Sequence, residues 1–132
     1  MSSSTAREGQ LSIELVPLVA IAASVLIVFI TILAGRFSSV NQEQEQQGLH
    51  VAVDRLHDEI RIAATVHDGY VREFTLPATA GGRPYSITII NEHVIRANTS
   101  TYEASTTTFN VTGQPAAGEN IIRKDNGAID LN

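Results

Sequence analysis

Residues 15–35 read LVPLVAIAASVLIVFITILAG, and not one of these 21 positions, from Leu15 to Gly35, carries a charge. A helix needs about 20 apolar residues to cross roughly 30 Å of hydrocarbon, and this run meets that length. A secretory signal core is shorter, about 7–15 residues, and is followed by a small-residue cleavage site, whereas this run passes directly into polar sequence. The run therefore predicts a helix that stays on the protein. Arg7 on one flank balances Arg36 on the other, so the loop-charge rule sets no orientation.

The rest of the 132 residues is polar. The chain holds 9 Lys and Arg against 14 Asp and Glu, a net charge of −5, with 43% hydrophobic residues. An acidic chain without a Lys/Arg cluster is a poor match for nucleic acid, because phosphate neutralisation requires concentrated positive charge. With no cysteine, disulfides, thiolate metal sites and a thiol nucleophile are excluded.

Beyond the apolar run, no strong helix breaker intervenes from Arg36 to Val66, although Gly35 and Gly48 are weak points. The stretch 38–48, SSVNQEQEQQG, is compatible with a solvated helical stalk or with a flexible break; helix with a local soft spot is the preferred reading. Next, Leu49, Ala52, Val53, Leu56, Ile60, Ala63 and Ala64 recur at three- and four-residue spacing, which marks an amphipathic helix packing one face. A helix over 10–66 would be about 85 Å long at 1.5 Å per residue, of which only about a third is needed in a membrane. The remainder is expected to project outward.

Asp68-Gly69 ends the helical pattern, and the composition shifts to Thr, Ile, Val, Tyr and Gly. Tyr70, Phe74 and Leu76 fall on one side of a strand, with Arg72 as the polar exception, and Tyr85, Ile87 and Ile89 alternate with Ser86 and Thr88. Further strands are expected at His93–Ala97, Ser105–Val111, Asn120–Lys124 and Ala128–Leu131. Asn126-Gly127 is a strong tight-hairpin signal and Asn91-Glu92 a weaker one. Residues 67–132 should thus form a small antiparallel sheet of four to six strands, marginal alone and covered by the stripe from Leu49 to Ala64. The expected class is α+β: a long N-terminal hydrophobic and amphipathic helix packed on a small β-sheet head.

Few residues suggest chemistry. His50, Asp54 and His57 share one helix face at i, i+4 and i+7, but an exposed polar face explains them better than a metal site, since no second-shell partner is evident. Ser, His and Asp occur in the head without a nucleophile elbow, and Gly81-Gly82-Arg83-Pro84 is a turn with a pre-proline extension, not a phosphate loop. No enzyme activity, metal or cofactor is expected. Asn98-Thr99-Ser100 and Asn110-Val111-Thr112 match the N-glycosylation acceptor pattern. Glycans there would also shield the Thr/Ser-rich edge from Thr99 to Thr108 against unwanted strand pairing. Pro17 removes the backbone bond to Ile13, either as a lipid-tolerated kink or as a bend used in packing.

What precedes the apolar run is more specific. Residues 7–14 read Arg-Glu-Gly-Gln-Leu-Ser-Ile-Glu, a short polar leader abutting the helix without a spacer. The Gly9-Gln10 junction and the pattern Gln10-x-Ser12-x-Glu14 resemble the class III signal peptides of archaeal type IV prepilins. The resemblance covers Arg7 to about Gly35, and the helix-then-strands layout is similar to pilins as well. It implies a leader over 1–9 removed by prepilin peptidase between Gly9 and Gln10, a helix over 10–66 with its membrane or filament-core part at 15–35, and a head over 67–132. It further implies a membrane-inserted precursor polymerised by an assembly ATPase and a membrane platform protein into an extracellular filament, a helical homopolymer serving adhesion or cell contact. To Glu14 the resemblance assigns a pairing with the new α-amino group of Gln10 during assembly. The rival reading is a single-pass surface protein or a minor pilin-like subunit outside the main filament; an archaellin-like subunit is less favoured, because archaellins start with a glycine-rich apolar segment.

Overall fold

In the computed structural model the backbone is described from Ser4 to Asn132, with side chains from Ile13 onward apart from that of Glu14. One helix, α1 (Ser4–Thr65), precedes seven strands: β1 (Tyr70–Leu76), β2 (Ser86–Ile90), β3 (Val94–Asn98), β4 (Glu103–Thr107), β5 (Thr112–Gly113), β6 (Gly118–Asp125) and β7 (Ala128–Leu131). The architecture is α+β. The chain divides into two compact units, Met1–Val40 and Asn41–Asn132, and α1 contributes to both.

In the first unit everything described is α1. The helix starts at Ser4, so residues 4–9 are helical together with the stretch expected from Gln10 onward, and Pro17 is accommodated inside it.

In the second unit, the remainder of α1 packs on two sheets. Leu49, Ala52, Val53, Leu56, Ile60 and Ala63 are all buried, with Ala64 half-buried against them, which is the spacing expected of one apolar helix face. The stretch 38–48 shows no break. Gly48 has a packing reason instead: a Cβ there would lie 2.7 Å from Ala80 Cα and 2.8 Å from Gly81 N. At Gly81, φ is +58°, and a Cβ would meet Glu45 N at 2.5 Å. Glycine on both sides lets the loop backbone rest directly on the helix.

The head differs from the single sheet that alternation suggests. β1, β6, β7 and β5 form a four-stranded sheet in that order, and β2, β3 and β4 form a three-stranded antiparallel one. Within the first sheet β5 pairs parallel to β7, with Thr112 opposite Asp130 and Gly113 opposite Leu131. The expected strand over Ser105–Val111 is where the two readings part. β4 ends at Thr107, Thr108 N donates to His93 O and Val111 N to Glu92 O, and the chain then crosses to the other sheet. A two-residue strand is too short for any periodicity to reveal.

Both hairpin signals hold. Asn126 and Gly127 have φ of 48° and 79° and join β6 to β7, and Asn91 and Glu92 have φ of 52° and 66° between β2 and β3. Positive φ at both central residues matches the twist of the flanking strands. Phe74, Leu76, Ile87, Ile89, Ile95, Val111, Ile122, Ile129 and Leu131 meet the helix stripe in one buried cluster.

Candidate functional site

The feature that dominates the first unit is apolar exposure. Leu15, Val16, Leu18, Val19, Ile21 and every large apolar side chain from Val25 to Leu33 are exposed, between 40% for Leu33 and 67% for Val16. By length and composition this part of α1 is able to cross a membrane. Its two hydroxyls are satisfied inside the helix: Ser24 Oγ donates to Ala20 O and Thr31 Oγ1 to Ile27 O, both at 2.8 Å. Neither therefore brings an unpaired polar group into an apolar environment. Gly9, Gln10 and Ser12 lie in α1, but their side chains, like that of Glu14, fall outside the described residues.

The two acceptor asparagines are both exposed, in different settings. Asn98 ends the central strand β3, opposite Ser86 and Glu103, and Thr99 Oγ1 then accepts from Thr101 N (3.2 Å) and Tyr102 N (3.1 Å) to form a tight turn. Asn110 sits where the chain crosses between sheets. Val111 next to it is buried, and Thr112 Oγ1 lies 3.2 Å from Ile129 O and 3.0 Å from Asp130 Oδ1.

On α1, His50 and Asp54 are exposed and His57 is half-buried, its Nδ1 buried without a hydrogen-bond partner. No three such side chains converge to hold a metal among the described residues. A hollow against β1 and β6 is lined by Glu73, Thr75, Glu119 and Asn132 among others, none of them Ser, Cys, His or Lys.

Sequence periodicity gives no sign of three polar links that anchor α1 and the loops in the head. Glu45 is buried, with Oε2 3.5 Å from Arg83 Nε and Oε1 without a hydrogen bond. Glu59 is buried and its Oε2 lies 3.3 Å from Arg72 Nε, close enough for charge pairing but not aligned as a hydrogen bond. Lys124 Nζ donates to the carbonyls of Ala64 and Val66 at the end of α1. The heptad-like spacing places Glu45 and Glu59 near the buried stripe, but their cations come from strand and loop residues distant in sequence. The Tyr85 hydroxyl donates to Pro77 O at 2.6 Å, and burial pushes its pKa up from the ordinary phenol value.

The geometry thus defines an α+β protein whose N-terminal helix carries a long exposed apolar surface and whose sheet head carries two exposed acceptor asparagines. No protein family matches the chain, and neither a curated protein nor a solved structure does.

Proposed function

We propose that the chain is the precursor of an archaeal type IV pilin: inserted in the membrane, cleaved between Gly9 and Gln10, and polymerised through its apolar helix into an extracellular filament for adhesion or cell contact. One observation carries the reading. The exposed apolar surface from Leu15 to Leu33 directly follows the Gln10-x-Ser12-x-Glu14 pattern and belongs to the same helix whose C-terminal part is built into a folded head. Cleavage ahead of the helix leaves that surface on the mature protein, where only lipid or copies of itself can cover it. Leu, Ile, Val and Ala without a charge suit both covers, lipid before assembly and neighbouring helices after it. An assembly ATPase and a membrane platform protein are the implied partners. In the same reading the head is extracellular and glycosylated at Asn98 and Asn110, both exposed.

Electron cryo-microscopy of filaments sheared from the cell surface, joined with intact-mass analysis, tests this. A helical polymer of this chain lacking residues 1–9 is the expected result. A protein found only as a membrane-anchored monomer, or filaments retaining the leader, overturns it.

A further inference from the structure

The two acceptor triplets differ in what folding does to them. The acceptor pattern demands a hydroxyl two residues after the asparagine, so a transferase that reads that hydroxyl must reach it. In the second triplet Thr112 is exposed, but the folded head already engages its hydroxyl and its strand. Val111 is 1% exposed and its N–H donates to Glu92 O at 2.8 Å. Thr112 is paired with Asp130 in β5, and its hydroxyl is engaged by Ile129 O and Asp130 Oδ1. Gly113, at φ +87°, is pressed so closely on β7 that a Cβ would collide with Leu131 O. Presenting Asn110-Val111-Thr112 to an enzyme therefore requires that β5 leave β7 and that Val111 leave the core.

The first triplet asks for much less. Asn98 stands at the end of its strand, and Ser100 is exposed, its hydroxyl 3.5 Å from that of Thr101 and away from the core. Thr99, between them, is half-buried and belongs to a surface turn. All three residues of the triplet line an open hollow together with Pro84, Tyr85 and Ser86.

We propose that the two sites are modified at different stages: Asn98 on the folded head, Asn110 only before β5 closes on β7. This rests on the glycosylation part of the function proposed above. In each case the asparagine side-chain nitrogen bonds to the anomeric carbon of a saccharide carried on a lipid diphosphate. The carbon–oxygen bond to the phosphate breaks, the lipid diphosphate leaves with its electron pair, and one amide proton is lost. Occupancy at Asn110 then records whether modification preceded folding.

The test uses the full chain, folded in detergent micelles, with a single-subunit oligosaccharyltransferase and a lipid-diphosphate-linked oligosaccharide. A synthetic peptide covering 90–120 serves as the unfolded reference. Mass mapping should find both sites modified in the peptide. In the folded chain, Asn98 should exceed Asn110 by about tenfold or more, because the closed strand pair is open only a small fraction of the time. Gly113→Ala, which forces β5 off β7 without altering the triplet, should raise Asn110 occupancy and leave Asn98 unchanged. Equal occupancy in the folded chain, or modification at Asn110 alone or at neither site, overturns the staging even if Gly113→Ala does not fold. Failure of the peptide at both sites instead removes the glycosylation reading itself.

Discussion

The ammonium of Lys124 in β6 donates a 3.0 Å hydrogen bond to the carbonyl of Ala64, and a second at 2.8 Å to that of Val66. A helix leaves its last four carbonyls without intrahelical partners, and its C-terminal end is electronegative, so a cation there satisfies two needs at once. β6 thus caps a helix more than fifty residues earlier in the chain. Lys124→Met keeps the apolar stem and removes the donor. It should destabilise the head by about 1–2 kcal/mol, toward the lower end of the about 1.5–3 kcal/mol for hydrogen bonds to charged groups because water reaches this site. The urea midpoint of the full chain in detergent, followed by circular dichroism, is the measurement, and an unchanged midpoint would count against the cap.

Gly48 and Gly35 should respond oppositely to the same substitution. Alanine normally gains about 1 kcal/mol over glycine in a helix. At Gly35 no atom lies within 4 Å of the added methyl, and the gain should stand or the head's melt remain unchanged. At Gly48 the methyl meets the backbone of Ala80 and Gly81, and a net loss of about 1–3 kcal/mol is expected from overpacking. A Gly48→Ala protein melting at or above wild type would show that the loop has no need of its close approach.

The buried carboxylate of Glu45 depends on Arg83, which is itself largely exposed. Arg83→Gln removes the cation and should cost about 1–2 kcal/mol, below the figure for a fully buried pair because water reaches the arginine. Adding Glu45→Gln should recover part of that loss. The double-mutant cycle then gives a coupling energy, and strict additivity would deny the pair any role.

Burial raises the Tyr85 phenol above its ordinary value near 10, which has a defined consequence in alkali. Below pH 10 both folded and unfolded chains keep the proton, and the contribution to stability is constant. As pH rises past the unfolded value, the unfolded chain loses its proton first, so stability falls until the folded phenol also titrates. Tyr85→Phe should flatten this alkaline slope above about pH 10, while lowering stability at neutral pH through loss of the bond to Pro77 O. Denaturant midpoints measured across that range decide the matter; parallel slopes for the two proteins would contradict it.

Under the proposed function, Glu14 is the only charged residue between Gln10 and Arg36. Carried into a bundle of apolar helices, its carboxylate requires a partner, because an unpaired buried charge costs about 3–5 kcal/mol. The α-amino group of Gln10 is the nearest cation that cleavage would create. Glu14→Gln should insert and be cleaved normally yet give few filaments, whereas Glu43→Gln, on the polar stretch, should match wild type. Filament yield per cell at equal total pilin is the comparison, and normal yield for Glu14→Gln would show that the charge does not direct assembly.

Much of this protein was legible along the chain. The uncharged run from Leu15 to Gly35, the stripe from Leu49 to Ala64 and the Asn126-Gly127 hairpin all depend on neighbours within a few residues, where helix period, strand alternation and turn dihedrals act. The acceptor triplets at Asn98 and Asn110 were legible for the same reason, but not their unequal engagement, which depends on strands that arrive later.

What local pattern could not contain is which distant segments meet. Alternation marked strands without saying that they divide into two sheets, because an inward-facing Ile87 and an inward-facing Ile122 look alike until their partners are chosen. Gly48 looked like a weak point in a helix until the Ala80-Gly81 backbone occupied the place of its missing side chain. No spacing along the chain marks Glu45, Glu59 or Lys124 as a group that meets a distant partner. The sequence by itself determined a long apolar helix, its amphipathic continuation and a strand-rich head, since burying an apolar face follows directly from residue spacing. Tertiary structure alone decided the two-sheet split, the parallel β5–β7 pair and the cations set against Glu45 and Glu59, because each brings together groups whose sequence separation leaves no periodic trace.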